Sequence, residues 1–309
     1  MFAILLAAAL SGTGIRGTWT ILAGDKDRVQ LTMVRENSNW GQSIRRSELP
    51  LSDAQINASS ETPVHFALNR DAGVIDFTGS FESGEGVGRF AFTPSSSYAA
   101  TLRSLGVSSD EALDDKKLFS LAMHDVSTAF IRDMQSLGYR EDLESYVRFR
   151  IHGVSTDFVR ELRSLGYDKL SAEDLVRFRI HGVSPQFIRD MKGLGFETTA
   201  EDLVRFRIHG ATPEFVRAMR DLDVKGVSSE SIVRMRIHGV SPEFVRELSD
   251  LGYKSIDSDD LVRMRIHGVT TAFIRELANA GYHGIPIDKL VEMRIHGINP
   301  ADFGRTSNQ

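Results

Sequence analysis

The tetrapeptide Arg-Ile-His-Gly occurs six times, opening at Arg150, Arg179, Arg207, Arg236, Arg265 and Arg294. An imidazole beside a guanidinium, with carboxylates a few residues on, could supply a general base, a metal ligand or an anion-binding pair. Spacing tests each of these. His124, His152, His181, His209, His238, His267 and His296 recur every 28 or 29 residues. A fixed period of this size marks stacked repeats, which would hold equivalent residues about 8–10 Å apart on neighbouring helices. Two ligands of one zinc need nitrogens within about 4 Å, given bonds of about 2.0–2.1 Å. One histidine per repeat cannot meet that, and neither HExxH nor HxxxH occurs. An enzyme would also need different titratable groups converging on one site, whereas here the same groups recur. No catalytic residue, metal or cofactor is therefore assigned.

The elements that must position these residues are legible in one unit, His181 to Ile208. Ser184 is an N-cap with Pro185 at the first helical position, and Gly195 follows the last turn. Thr199 caps a second helix, Asp202 stands where a capping box needs it, and Gly210 ends it. Turning 100° per residue puts Leu175, Val176, Phe178 and Ile180 at about 0°, 100°, 300° and 140°, an apolar arc. His181 falls at about 240° and Arg177 at about 200°, on the polar side. The histidine is thus expected to end the helix, donating to its orphan carbonyls beside the negative dipole end, with Val183 as the apolar contact of a Schellman stop.

Arg179 falls at about 40°, inside the packing arc. Two readings stand side by side. A carboxylate of the first helix pairs with it (Asp133, Glu161, Asp190, Glu247, Glu276, with Ala218 the exception), or the stem is buried and the head snorkels to water. The outward residues define an interaction stripe for an anionic polymer: Arg148, Arg177, Arg205, Arg234 and Arg263 with His152, His181, His209, His238 and His267. At the far end, Leu290, Val291, Met293, Ile295 and Phe303 are the candidate self-association residues, because the hairpin opened by Asn299 and Pro300 stops within a turn.

Before Ser95 the period changes from helical to two. Val29, Leu31 and Met33 share a face, as do Val64, Phe66 and Leu68, then Ile75, Phe77 and Phe81, then Phe90 and Phe92. Turn signals at 24–27, 71–73 and 83–86 separate them. This predicts a small antiparallel β-domain, a meander or open barrel, with Asn37 to Ser60 a polar excursion carrying an Asn57-Ala58-Ser59 sequon. Trp19 and Trp40 are aromatic candidates for a glycan or small ligand, Trp19 more naturally core. His65 and His283 stand alone.

The copies of RIHGV(S/T)PEF(V/I)REL, with GTWTIL, VGRFAFTP and SYAATLRSLG before them, resemble tandem helical-hairpin repeat proteins of bacteria that carry a small N-terminal β-domain. Similar repeats trail some membrane metallopeptidases of the β-lactam-sensor type. The resemblance covers nearly the whole chain and implies a β-domain joined to a hairpin array. It carries no peptidase activity, since no HExxH helix is present.

The expected class is therefore α+β: residues 1–16 a signal peptide or extension, 17–94 the β-domain, and 95–309 an α-solenoid of about seven hairpins, the first degenerate with Asp125 in place of glycine. MFAILLAAALSG suits the apolar core of a secretory signal and is too short to span a bilayer. Export to the periplasm or exterior follows if it is cleaved, a cytoplasmic location if not. The chain has 309 residues, no cysteine and a net charge of −5, which excludes disulfide and thiolate chemistry and leaves no basic footprint for nucleic acid. The expected function is a non-catalytic protein-interaction or structural scaffold. Polyanion or glycan binding and an extracellular filament subunit are the alternatives.

Overall fold

The computed structural model describes residues 14–298 except 25, 26, 36 and 37. The expected signal segment thus falls largely outside the described residues, as do Asn299, Pro300 and Phe303. The chain divides into two compact units, Met1–Thr156 and Asp157–Gln309.

The first unit holds β1 (Arg16–Ala23), β2 (Arg28–Arg35), β3 (Ser38–Arg45), β4 (Thr62–Arg70), β5 (Gly73–Glu82) and β6 (Glu85–Pro94). They form one sheet of order β3-β2-β1-β6-β5-β4, with every neighbouring pair antiparallel. Two three-stranded meanders are joined where β1 pairs with β6. The alternating residues Val29, Leu31, Met33, Val64, Phe66, Leu68, Ile75, Phe77, Phe90 and Phe92 are all buried. Trp19 is 1% exposed, with Phe66 and Phe81 each 5.7 Å away between ring centres. Its Nε1 donates to the carbonyls of Arg89 and Thr78 at 3.1 and 3.3 Å. A Cβ at Gly79 would lie 2.8 Å from the indole, so the sheet is hollowed to receive this side chain. Trp19 is core.

Two boundaries move. Arg16 belongs to β1, so the sheet begins one residue earlier than expected. The stretch read as a polar excursion contains β3 and a single turn, α1 (Asp53–Ile56). In β3 only Ile44 is buried. An edge strand with so little apolar patterning is specified by pairing, here from Arg28↔Arg45 to Arg35↔Ser38, rather than by period. Asn57 of the sequon is exposed just after α1.

The β-to-α change falls at Pro94, yet the first helices share the sheet's unit: α2 (Tyr98–Ser104), α3 (Asp115–Met123), α4 (Thr128–Ser136) and α5 (Leu143–His152). Helix α3 packs on β5 and β6, its Phe119 stacked on Phe90 at 5.8 Å and edge-on to Phe92 at 5.3 Å.

The second unit is helical among the described residues. It contains α6 (Thr156–Ser164), α7 (Ala172–Ile180), α8 (Pro185–Gly193), α9 (Ala200–His209), α10 (Pro213–Asp221), α11 (Ser229–Ile237), α12 (Pro242–Asp250), α13 (Ser258–Ile266), α14 (Thr271–Asn279) and α15 (Ile287–Ile295). Helices of nine or ten residues are too short to persist alone, and packing holds them. First helices of the hairpins stack on one another from α8 to α14, and second helices from α7 to α15. This is a two-layer hairpin array within the unit. The caps are as the sequence predicts. Ser184 accepts from the Phe187 amide with Pro185 in the first turn, and Thr199 and Asp202 form a reciprocal capping box.

Candidate interaction surface

The ends of the second helices explain the glycine and reassign the histidine. Gly182 lies in the left-handed region at φ 69°. Its amide bonds the Arg179 carbonyl at 3.3 Å, and the Val183 amide reaches back to Phe178 at 2.7 Å. That is the Schellman pattern, closed by two buried apolar residues. It recurs at Gly210, Gly239, Gly268 and Gly297. The imidazole was expected to donate to the orphan carbonyls of its helix end, of which the histidine's own is one. The next repeat serves it instead: Arg207 Nε donates to the His181 carbonyl at 3.3 Å, and Arg236 Nε to that of His209 at 3.4 Å. A guanidinium on a long stem spans the stack where a short imidazole cannot.

The same arginines overturn the carboxylate ladder. Arg179, Arg207, Arg236, Arg265 and Arg294 each sit over a phenylalanine of their own hairpin's first helix: Phe158, Phe187, Phe215, Phe244 and Phe273. The distances from Cζ to the ring centres are 5.0–5.1 Å. Arg150 sits likewise over Phe130 at 5.2 Å in the first unit. The carboxylates have other partners. Glu247 hydrogen-bonds Thr271 and pairs with Arg275, Asp190 accepts from Gln186, and Glu161 lies 3.6 Å from Arg189. The snorkelling reading is closer: Arg179, Arg207 and Arg294 are exposed, each head lies over a ring face, and Arg207 and Arg236 donate one N–H to a carbonyl, whereas Arg265 Nε is buried without a hydrogen-bond partner. The guanidinium also crowds the preceding glycine. A Cβ at Gly182 would fall 2.9 Å from Arg207 Nη2, and one at Gly210 would fall 3.1 Å from Arg236 Nη2.

The outward stripe is a row of ion pairs. Arg177 meets Glu201 at 2.9 Å, Arg205 meets Glu230 at 3.0 Å, Arg234 meets Asp259 at 2.7 Å and Arg263 meets Asp288 at 2.9 Å. Each carboxylate comes from the first turn of the next second helix. Hydrogen bonds donated to these carboxylates raise the pKa of Arg177, Arg205 and Arg263. Arg148 occupies the equivalent place on α5. His152, His181, His209 and His238 are half-buried and His267 is exposed. The ladder had a signal in the sequence, an acidic residue 24 or 25 positions after each arginine.

A second row was missed. Ile180 was placed in the packing arc, but Ile180, Ile208, Ile237, Ile266 and Ile295 are 51–58% exposed. At about 140° the residue stands at the margin of the arc. The inward place beside it is taken by Val176 and its equivalents, which are buried. The layer of second helices therefore presents five isoleucines to solvent beside a ladder of neutralised charges. Ile151 on α5 is exposed to the same degree.

At α15, Leu290 and Val291 are buried, Met293 is half-buried and Ile295 is exposed. The open apolar surface there is narrower than expected and centres on Ile295. His65 is exposed, 3.9 Å from Asp76, and His283 is exposed. Among the described residues no group of three or more His, Cys, Asp or Glu is placed to hold a metal, and no helix is long and apolar enough to cross a membrane. Comparison with protein-family models and with curated proteins gives no match.

Proposed function

We propose that this protein is a non-catalytic interaction scaffold whose binding face is the layer of second helices. The observation that carries this reading is the isoleucine row. Single exposed apolar residues are ordinary, but one type at one register in five consecutive hairpins makes a regular row. Each isoleucine, about half covered, has about 1 kcal/mol of transfer free energy left to gain from a partner. The charges beside it are already paired, so they set register and solubility rather than recruit an anion. A polyanion would have to displace a carboxylate at each step, which disfavours that reading. The likeness of the repeats to bacterial helical-hairpin arrays supports a scaffold, and an exported location belongs to the same proposal.

The test compares the full chain with Ile208→Ser/Ile237→Ser/Ile266→Ser in affinity capture from the cells that make it, alongside sedimentation across a hundredfold concentration range. A partner, or self-association, present in the parent and lost in the variant supports the reading. Equal capture and equal sedimentation by both chains, with retention on heparin that falls steeply with salt, would replace it with polyanion binding.

A further inference from the structure

Among the described residues of the first unit, Trp40 lines two cavities. The polar one, about 70 Å³, is lined by Trp40, His124, Arg70, Asp125 and Arg150 among others. Its central charges are paired, although Arg70 Nε is buried without a hydrogen-bond partner. Asp125 sits where the later repeats have glycine, at φ 51°, and its carboxylate takes Arg150 at 3.0 Å and Arg70 at 3.3 Å. A ligand would have to break this arrangement to use it. It is a latch tying β4 to α5.

The other cavity, about 190 Å³, differs in each respect. Its walls are Met33, Trp40, Phe90, Phe119 and Met123. They are braced from behind. Phe119 stacks on Phe90 and meets Phe92 edge-on, and Trp40 meets the ring of His124 edge-on at 6.4 Å. The cavity therefore exists before any ligand arrives. The ionisable residues that line it are Arg35 and Lys116, both cationic, and no carboxylate lines it among the described residues. Its size slightly exceeds the roughly 150 Å³ that accommodates benzene in a dry engineered cavity. That admits one ring or a short branched chain and excludes a long acyl chain.

We propose that this pocket binds a small amphipathic organic anion, an aryl or short alkyl body bearing one carboxylate. The body lies between Trp40 and Phe119, and the carboxylate lies at Lys116 and Arg35. Apolar walls with two like charges at the edge are complementary to an apolar anion and discriminate against its neutral analogue. This site is independent of the repeat surface, so its fate leaves the scaffold reading untouched.

The probes are 3-phenylpropionate and 3-phenylpropanamide, titrated into the full chain at low salt by calorimetry, with tryptophan fluorescence followed in parallel. The expected result is one saturable site per chain, with the acid bound about tenfold more tightly than the amide, a preference that shrinks as salt screens the cations. Lys116→Met, on an exposed position, should erase most of that preference while leaving amide binding as it was. Arg35→Met provides a second, independent reduction. Absence of saturable binding by the acid, equal affinity for acid and amide, or a preference unchanged in both variants would overturn the proposal.

Discussion

Arg236 lies over Phe215 of its own hairpin, Cζ 5.0 Å from the ring centre, while its Nε donates to the carbonyl of His209 in the hairpin before. One side chain thus ties a first helix, a second helix and the end of the preceding repeat. Removing it should cost an intermediate amount. Arg236→Met is expected to destabilise the second unit by about 1–3 kcal/mol, the sum of a cation–π contact and a charge-assisted hydrogen bond. A buried ion pair would cost about 3–5 kcal/mol. Urea unfolding followed by circular dichroism measures this. A double-mutant cycle with Phe215→Leu should show coupling, and one with Glu247→Gln should show none.

Gly182 and Gly195 separate backbone conformation from crowding. Both have positive φ, 69° and 73°. A Cβ at Gly182 meets Arg207, whereas nothing stands within 4 Å of one at Gly195. Gly195→Ala should cost about 1–2 kcal/mol for the left-handed conformation alone. Gly182→Ala should cost more, and Arg207→Ala in the same chain should remove the excess. Equal costs would show that the guanidinium yields freely.

Replacing the histidine should matter little. In His181→Ala the carbonyl that receives Arg207 remains, so the loss should stay at or below about 1 kcal/mol, the size of a helix-dipole contact. Added zinc should leave the melting temperature of the parent unchanged. A rise of several degrees would restore the histidines as ligands.

The exposed isoleucines should be dispensable to folding. Ile208→Ser and Ile237→Ser are each expected within about 0.5 kcal/mol of the parent. Leu203→Ala, on the buried side of α9, should cost about 2–5 kcal/mol. A large loss at Ile237 would mean that the row is packing surface.

Acid should weaken the first unit through His124. Burial, then the charge of Arg150, lowers its pKa from the usual 6.5. The folded value lies below the unfolded one, so the unfolded chain takes up the proton first as pH falls. Stability present above about 6.5 is lost as pH drops toward the folded pKa. His124→Gln should flatten that slope. Tryptophan fluorescence reports it, because Trp19 and Trp40 both lie in this unit.

Features written within one turn of chain were readable from residue type alone. Ser184 with Pro185, Thr199 with Asp202, and Gly182 before Val183 specify helix starts and stops through hydrogen bonds between near neighbours. The alternation in β2, β4, β5 and β6 likewise announces a half-buried sheet. Strand β3 escaped because its pattern is not apolar, and its partner β2 supplies what the residues do not.

The sequence by itself determined that there would be strands followed by paired short helices, and that a glycine would end each second helix. Only the tertiary structure decided what the charged residues touch. Arg177 finds Glu201 across 24 residues, and Arg236 finds His209 across 27. A periodic wheel gives the direction in which a side chain leaves its helix, but not which atoms of the next repeat wait there. A long guanidinium can choose a carboxylate, a carbonyl or a ring with little difference in free energy. The packing offset between stacked hairpins makes that choice, and it also leaves Ile180 and its counterparts in water while Val176 goes in.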